Sequence, residues 1–244
     1  MSRTSVQLYS VRDAFAADPG DTLRRLAAIG FTHVEPYGVL ENVDVLRTAL
    51  PEHGLTAPTA HAQLLGADQH AVFAAAAECG IEVVIDPYVD AERWQDPADI
   101  AATASALNAA ARVAAGHGVR VGYHNHWWEL ASRIDGRSAF EVLADGLDPE
   151  VVLEVDTYWA TVGGEDAPAL LRRLGGRVHA IHVKDGGLAQ DASGQVPAGQ
   201  GCVPVVDVLA AAPQALRVVE FDAYDGDVFA GLAESHAFLA EVAA

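Results

Sequence analysis

Short runs of β-branched and apolar residues alternate along the chain with longer, alanine-rich segments whose apolar positions recur at helical spacing. The first pattern marks buried strands and the second marks helices that cover them. Strands are predicted over 5–10, 33–37, 55–60, 82–86, 119–124, 151–156, 178–183 and 216–221. Helices are predicted over 21–29, 43–53, 68–79, 98–117, 137–143, 167–174, 205–212 and 227–242. Pro19 and Pro97 stand near helix starts, where a missing N–H costs little, and Gly30, Gly54, Gly80 and Gly118 follow helix ends. The units repeat without a linker-like stretch between them, and no G-x-G-x-x-G follows the first strand. The pattern therefore predicts one domain over 1–244, an α/β fold built as a single (β/α)8 TIM barrel.

Composition narrows the choice of function more than of fold. The 244 residues are 51% hydrophobic and 20% charged, which are globular values. Against 34 Asp and Glu stand only 15 Lys and Arg, a formal charge of −19. That balance opposes binding to a phosphate backbone, so no nucleic-acid partner is expected. Cys79 and Cys202 lack any Cys-x-x-Cys spacing and read as two reduced, mostly buried thiols. No apolar run has signal-peptide or membrane-spanning length, which predicts a soluble, cytoplasmic protein with no membrane partner.

In a (β/α)8 barrel the functional groups lie where strands end and βα loops begin. Those positions hold Tyr9, Glu35, His61, Asp86, His124, His126, Glu154, Asp156, His182, Lys184, Glu220 and Asp222. Residues two apart on a strand share a face, so His182 with Lys184, and Glu220 with Asp222, can look into the mouth together. Carboxylates and imidazoles from several strands make a mixed O/N set suited to Mn²⁺, Mg²⁺, Co²⁺ or Zn²⁺. The fifth strand ends in Tyr123-His-Asn-His-Trp-Trp-Glu129, with two histidines on one face and a carboxylate in the covering loop. Trp127, Trp128 and Trp159 can offer ring faces to a carbohydrate or simply pack the loops.

Taken together, Gln7-Leu-Tyr-Ser-Val-Arg12, Tyr123–Glu129, Asp156-Thr-Tyr-Trp159, Gly163-Gly164, His182-Val-Lys-Asp185, Gly199-Gln-Gly201 and Val219-Glu-Phe-Asp222 resemble the sugar phosphate isomerases/epimerases. These are xylose-isomerase-like TIM barrels that include inosose dehydratases and keto-sugar epimerases. The resemblance implies one divalent metal, Mn²⁺ first, held by a Glu, an Asp, a His and a Glu from the fifth to eighth strands. Asp156, His182 and Glu220 match the last three. At the first position this chain carries His124, with Glu129 the nearest carboxylate, and strand alternation favours His124 as the fourth ligand.

The expected activity is isomerisation, epimerisation or dehydration of a small polyhydroxylated carbonyl compound, a keto-sugar or cyclitol, through an enediolate. Glu220 would act as ligand and proton shuttle and Glu129 as the second acid/base group. Lys184 would hold the developing oxyanion or pair with Asp185. Tyr9, His61, His126, Trp159 and Lys184 would line the substrate site. A phosphate handle is not expected, because Lys184 and Arg217 are the few cations near strand ends and the segment 194–201 lacks a P-loop ending. That segment reads as a flexible connection or a backbone lid. A non-catalytic sugar-binding barrel is the alternative; an abasic-site endonuclease within the same resemblance conflicts with the acidic charge. The oligomeric state stays open, a homodimer included. Replacing His182 by Ala is expected to abolish metal uptake with little loss of fold.

Overall fold

The structure is a computed structural model and describes residues 4–242. Eight parallel strands form the barrel: Thr4–Gln7, His33–Glu35, Thr59–His61, Val83–Asp86, Arg120–His124, Val152–Asp156, Val178–Val183 and Leu216–Val219. Successive strands pair in order, the eighth returns to the first, and isolated bridges His33–Thr56 and Tyr37–His61 join the second to the third. Every predicted strand is present, and several are shorter at one end than the apolar run suggested. The first stops at Gln7, whose side chain accepts the Tyr9 N–H at 3.1 Å and turns the chain into a 3-10 turn, Leu8–Val11. Tyr9 is thereby released from the predicted strand to the rim.

The covering helices begin on caps that the sequence supplies. Asp18, Asp68, Asp96 and Ser138 each accept a backbone N–H from the first turn of Pro19–Ile29, Gln69–Glu78, Pro97–Ala115 and Ala139–Gly146 respectively. Gly30, Gly54, Gly80 and Gly118 all have positive φ, as their positions after helix ends require. Three short helices lie outside the predicted set: Arg12–Ala17 follows the 3-10 turn after the first strand, and α6 (Trp127–Ala131) and α8 (Thr157–Val162) start directly after the fifth and sixth strands. The ribbons Arg133–Ile134/Arg137–Ser138 and Asp185–Gly186/Gln195–Val196 were likewise not predicted.

Most apolar side chains pack between strands and helices in one continuous core. Val83, Ile85 and Val152 form a separate apolar layer inside the barrel. A Cβ at Gly122 would come within 3.0 Å of Ile85 Cγ1 and 3.3 Å of Val152 Cγ2, so a glycine lets the fifth strand pass this layer. Two residues further along, alternation brings Glu154 and His124 to the same interior face, and polar chemistry begins there. Both cysteines are free, and Cys202 is exposed rather than buried as expected. No described helix is long and apolar enough to cross a membrane.

Candidate active site and metal centre

Asp156 ends the sixth strand and caps α8. Its Oδ1 accepts the Trp159 N–H at 2.9 Å, which fixes the carboxylate and leaves Oδ2 facing the barrel axis. Asn125 locks the same strand end to the fifth, accepting from Asp156 N at 3.0 Å and donating to Asp156 O at 3.2 Å. His182 Nδ1 lies 2.7 Å from Glu220 Oε2. Donor atoms of Asp156, His182 and Glu220 all lie within 4.8 Å of one another. His124 stands beside this group, its Nε2 3.9 Å from Asp156 Oδ2, and falls at ligand spacing with His61, Glu154 and His182 in a second group that shares His182.

A second layer lies one step deeper. Glu154 Oε2 is 2.6 Å from His61 Nε2, 3.1 Å from His124 Nδ1 and 3.0 Å from His182 Nε2. Glu35 Oε1 is 2.7 Å from His182 Nε2 and receives the Gln7 amide at 2.8 Å. The upper nitrogens of His124 and His182 therefore face Asp156 and Glu220, while their lower nitrogens rest on buried carboxylates. This is the arrangement by which an outer carboxylate fixes the orientation of a liganding imidazole. Glu35 and Glu154 stood among the polar strand ends in the sequence without a role. Their shared face with the ligand candidates was the available signal.

Lys184 is the chain's only lysine. Its Nζ lies 2.9 Å from Asp156 Oδ2, 2.7 Å from Glu220 Oε2 and 2.8 Å from Asp222 Oδ2, over the Trp159 ring. Burial opposes its charge, but the three carboxylates outweigh burial and hold its pKa well above the usual value. Burial also works against the Glu220 charge, yet Lys184 and His182 keep that carboxyl well below its ordinary range. Asp156 is pushed up to about 6 by burial, against Lys184 and His182. Lys184 does not pair with Asp185, whose carboxylate accepts the N–H groups of Gly186, Gly199, Gly201 and Val203, each at 2.9 Å. The glycine segment is thus tied down by Asp185, and none of residues 194–201 lines the cavity.

Asp156, Glu220 and Asp222 face the Lys184 ammonium and the His182 imidazole, whose proton a divalent ion would displace on binding. Hard oxygens with borderline nitrogen suit a divalent ion such as Mn²⁺, Mg²⁺, Co²⁺ or Zn²⁺, so the residues present fit a metal.

A cavity of about 610 Å³ opens above this set, reached by Tyr9, His61, His124, His126, Lys184, Glu220 and Asp222. Trp159 and Glu129 do not line it. Trp159 lies beneath Lys184 instead. Glu129 corrects the sequence reading of a loop carboxylate that reaches the reacting centre. Fully buried in α6, it accepts from Tyr123 Oη at 2.8 Å and from His126 N at 2.9 Å, so both oxygens serve the helix start. His126, stacked on Trp128 at 4.3 Å, is the group at the cavity wall, kept neutral by burial, with a pKa of about 3. Arg217 stands level with Ile181 and Thr4, three residues before Glu220 on the eighth strand, away from the mouth.

Burial raises the Glu129 pKa from 4.5 to about 8. A carboxyl whose pKa is higher folded than unfolded stabilises the fold fully below about 4.5, and this contribution is lost as pH rises through about 8. Glu129→Gln does not titrate; its amide oxygen still accepts the His126 N–H, and its NH2 donates to Tyr123 Oη in place of accepting from it. Urea unfolding at pH 5.5 and 8.5 should show the wild type losing more stability than the variant. The excess is of the order of 3–5 kcal/mol, at about 1.4 kcal/mol per pKa unit. Equal losses in the two proteins would show that Glu129 is ionised at little cost.

Comparison with known proteins followed the same lines. No curated protein matches the sequence significantly. Among solved structures, a sugar phosphate isomerase/epimerase from Parabacteroides distasonis superposes with a TM-score of 0.84 at 21% identity, covering 99% of this chain and 93% of that one. The probable 3-DHS dehydratase of petrobactin synthesis from Bacillus anthracis gives 0.79 at 14% identity, covering 98% and 99%. The IOLI protein with a bound zinc atom gives 0.74 at 13% identity, covering 99% and 98%. At these identities the likeness establishes the fold. The model of the xylose isomerase-like TIM barrel family matches residues 23–215, most of the chain, and the protein belongs to that family.

Proposed function

We propose that this chain is a divalent-metal-dependent isomerase, epimerase or related dehydratase acting on a small neutral keto-sugar or cyclitol. The observation that carries this reading is the convergence of Asp156, His182 and Glu220 within 4.8 Å beneath the cavity, with His124 beside them; of these four, Glu220 and His124 line the cavity itself. One structural neighbour carries a bound zinc atom, which supports a metal-binding reading. Asp156, His182, Glu220 and His124 would hold the metal. A divalent ion bound there polarises a substrate carbonyl and acidifies the adjacent C–H.

Glu220, kept ionised by Lys184 and His182, is the base that takes the α-proton and leaves an enediolate. Lys184 donates to the oxygen on which negative charge develops. His126 faces the same cavity as a neutral imidazole that hydrogen-bonds the substrate, and Glu220, once it has taken the proton, returns it; Glu129 holds the His126 backbone N–H as a positioning residue. Tyr9 and His61 contact the ligand from the rim and the floor, and Trp159 backs Lys184. Phosphate recognition has no support in the cavity, where the only lining cation is already shared among three carboxylates.

The test is deuterium wash-in from D₂O with Mn²⁺-loaded protein and a panel of keto-sugars and inososes. Wild type should exchange an α-hydrogen of at least one compound, and Glu220→Gln should lower that rate by about a hundredfold or more. One Mn²⁺ per chain without exchange into any member would leave a sugar-binding barrel in place of an enzyme.

A further inference from the structure

The cavity is divided around the barrel mouth. Its ionisable side, with His124, His126, Lys184, Glu220 and Asp222, comes from the fifth to eighth strands. Its other side comes from segments after the first four strands, where Tyr9, Tyr37, Leu40, Ala67, Val72 and Tyr88 form a mostly apolar wall and Glu41, His61 and Gln63 are the polar members. Five large hydrophobic side chains are exposed among the described residues, and three of them line this cavity: Tyr9 at 41%, Leu40 at 41% and Tyr88 at 46%. Single exposed hydrophobics need no explanation, whereas three meeting in a cavity continuous with a polar site mark a ligand surface.

The rings are held for contact. Tyr9 stands edge-on to Tyr37 at 5.6 Å and is fixed from outside by Arg12, whose Nη1 donates to the Tyr9 carbonyl at 3.0 Å. Tyr88 stands edge-on to Trp128 at 5.7 Å and to His126 at 5.6 Å.

A single sugar at the carboxylate floor would leave this side empty, since 610 Å³ lies within the range of roughly 300–1,000 Å³ that encloses larger, drug-sized ligands. A second sugar could meet Glu41, Gln63 and the tyrosine hydroxyls, but it would also set hydroxyls against Leu40, Ala67 and Val72, which return no hydrogen bond. A phosphate would meet Glu41 and no lining lysine or arginine there, Arg12 lying outside the cavity against Tyr9. An aromatic ring satisfies all of these surfaces, edge or face against the tyrosines and flat against the aliphatic wall. We infer that the side of the cavity formed by Tyr9, Tyr37, Leu40 and Tyr88 is a subsite for an aryl substituent of the polyhydroxylated ligand, borne away from the reacting carbonyl. This rests on the sugar-processing reading of the floor, but ring binding requires no turnover.

Calorimetric titration of matched pairs tests it: D-fructose against 6-O-benzyl-D-fructose, D-xylose against 5-O-benzyl-D-xylose, and myo-inositol against a mono-O-benzyl-myo-inositol. In at least one pair the aryl member should bind tenfold or more tightly than its parent. Leu40→Asp and Tyr88→Ala, both at exposed positions, should each remove most of that gain. Glu220→Gln should retain it. Aryl members that bind no better than their parents in every pair, or a gain that survives both rim variants, would overturn the proposal. Wash-in that persists with no aryl gain would leave the catalytic reading standing, and an aryl gain with no wash-in would leave only the subsite.

Discussion

His182→Ala should take up no divalent metal, and it should also lose about 3–5 kcal/mol of folding stability, the usual cost of removing one partner from a buried charge network. The second effect departs from the expectation drawn from sequence alone. A ligand at a barrel mouth can often be removed cheaply, but His182 is fully buried and joins three carboxylates. Its Nδ1 meets Glu220 at 2.7 Å, and its Nε2 meets Glu35 at 2.7 Å and Glu154 at 3.0 Å. Burial disfavours its charge, but Glu154, Glu220 and Glu35 raise its pKa well above the ordinary value. The sign follows: a raised histidine stabilises the fold fully below its unfolded pKa, and that contribution is lost as pH rises through the folded value. Alanine leaves the carboxylates facing one another across a void. Urea unfolding and metal content measured on the same samples check both effects. His182→Gln, which can still hydrogen-bond, supplies folded material if alanine does not. Wild-type metal content in either variant would remove His182 from the ligand set, and an unchanged unfolding midpoint in alanine would show that the deep layer does not bear on stability.

The barrel was legible because its periodicities are long and clean. Val152–Asp156 and Val178–Val183 are apolar runs ending in functional residues, and their ends fell within one residue of prediction. Helices α6 and α8 were missed because five or six residues are too few to show a helical period. Their start signals were present, since Asp156 is an N-cap residue type, but the same residue also read as a ligand, and here it does both. Glu129 was misplaced for a related reason. Proximity in sequence to His124 suggested proximity to the reacting centre, whereas three residues after His126 is also where a carboxylate closes the first turn of a helix. The deep layer shows another limit. Alternation puts Glu154 and Asp156 on one face, yet which partner each meets depends on strands far apart in sequence, such as the one ending in Glu35.

Lys184→Met should move metal affinity and turnover in opposite directions. The Lys184 ammonium sits on Asp156 Oδ2 and Glu220 Oε2 at 2.9 and 2.7 Å, the oxygens a metal would also use. With Asp222 included, three carboxylates share this single lysine, and methionine is close in length but carries no charge. Removing the ammonium takes away a competitor and leaves the carboxylates uncompensated, so a divalent ion should bind about tenfold or more tightly, a gain of about 1.4 kcal/mol. The proposed reaction loses a donor to the developing oxyanion, which should lower turnover by about 10²–10³. The chelator-treated variant should unfold at lower urea than chelator-treated wild type, because Lys184 has a pKa raised well above its ordinary value by Asp156, Asp222 and Glu220, against burial. That stabilisation is present at neutral pH and fades only as pH climbs through the raised value. Added Mn²⁺ should restore the variant's stability more than it raises that of wild type. Mn²⁺ titration, unfolding with and without chelator, and wash-in rates separate the possible roles. A variant that binds metal more weakly would mean that Lys184 holds Asp156 and Glu220 in their liganding arrangement. Undiminished wash-in would take Lys184 out of the reaction and leave His126 and the tyrosine hydroxyls as the remaining donors over the site.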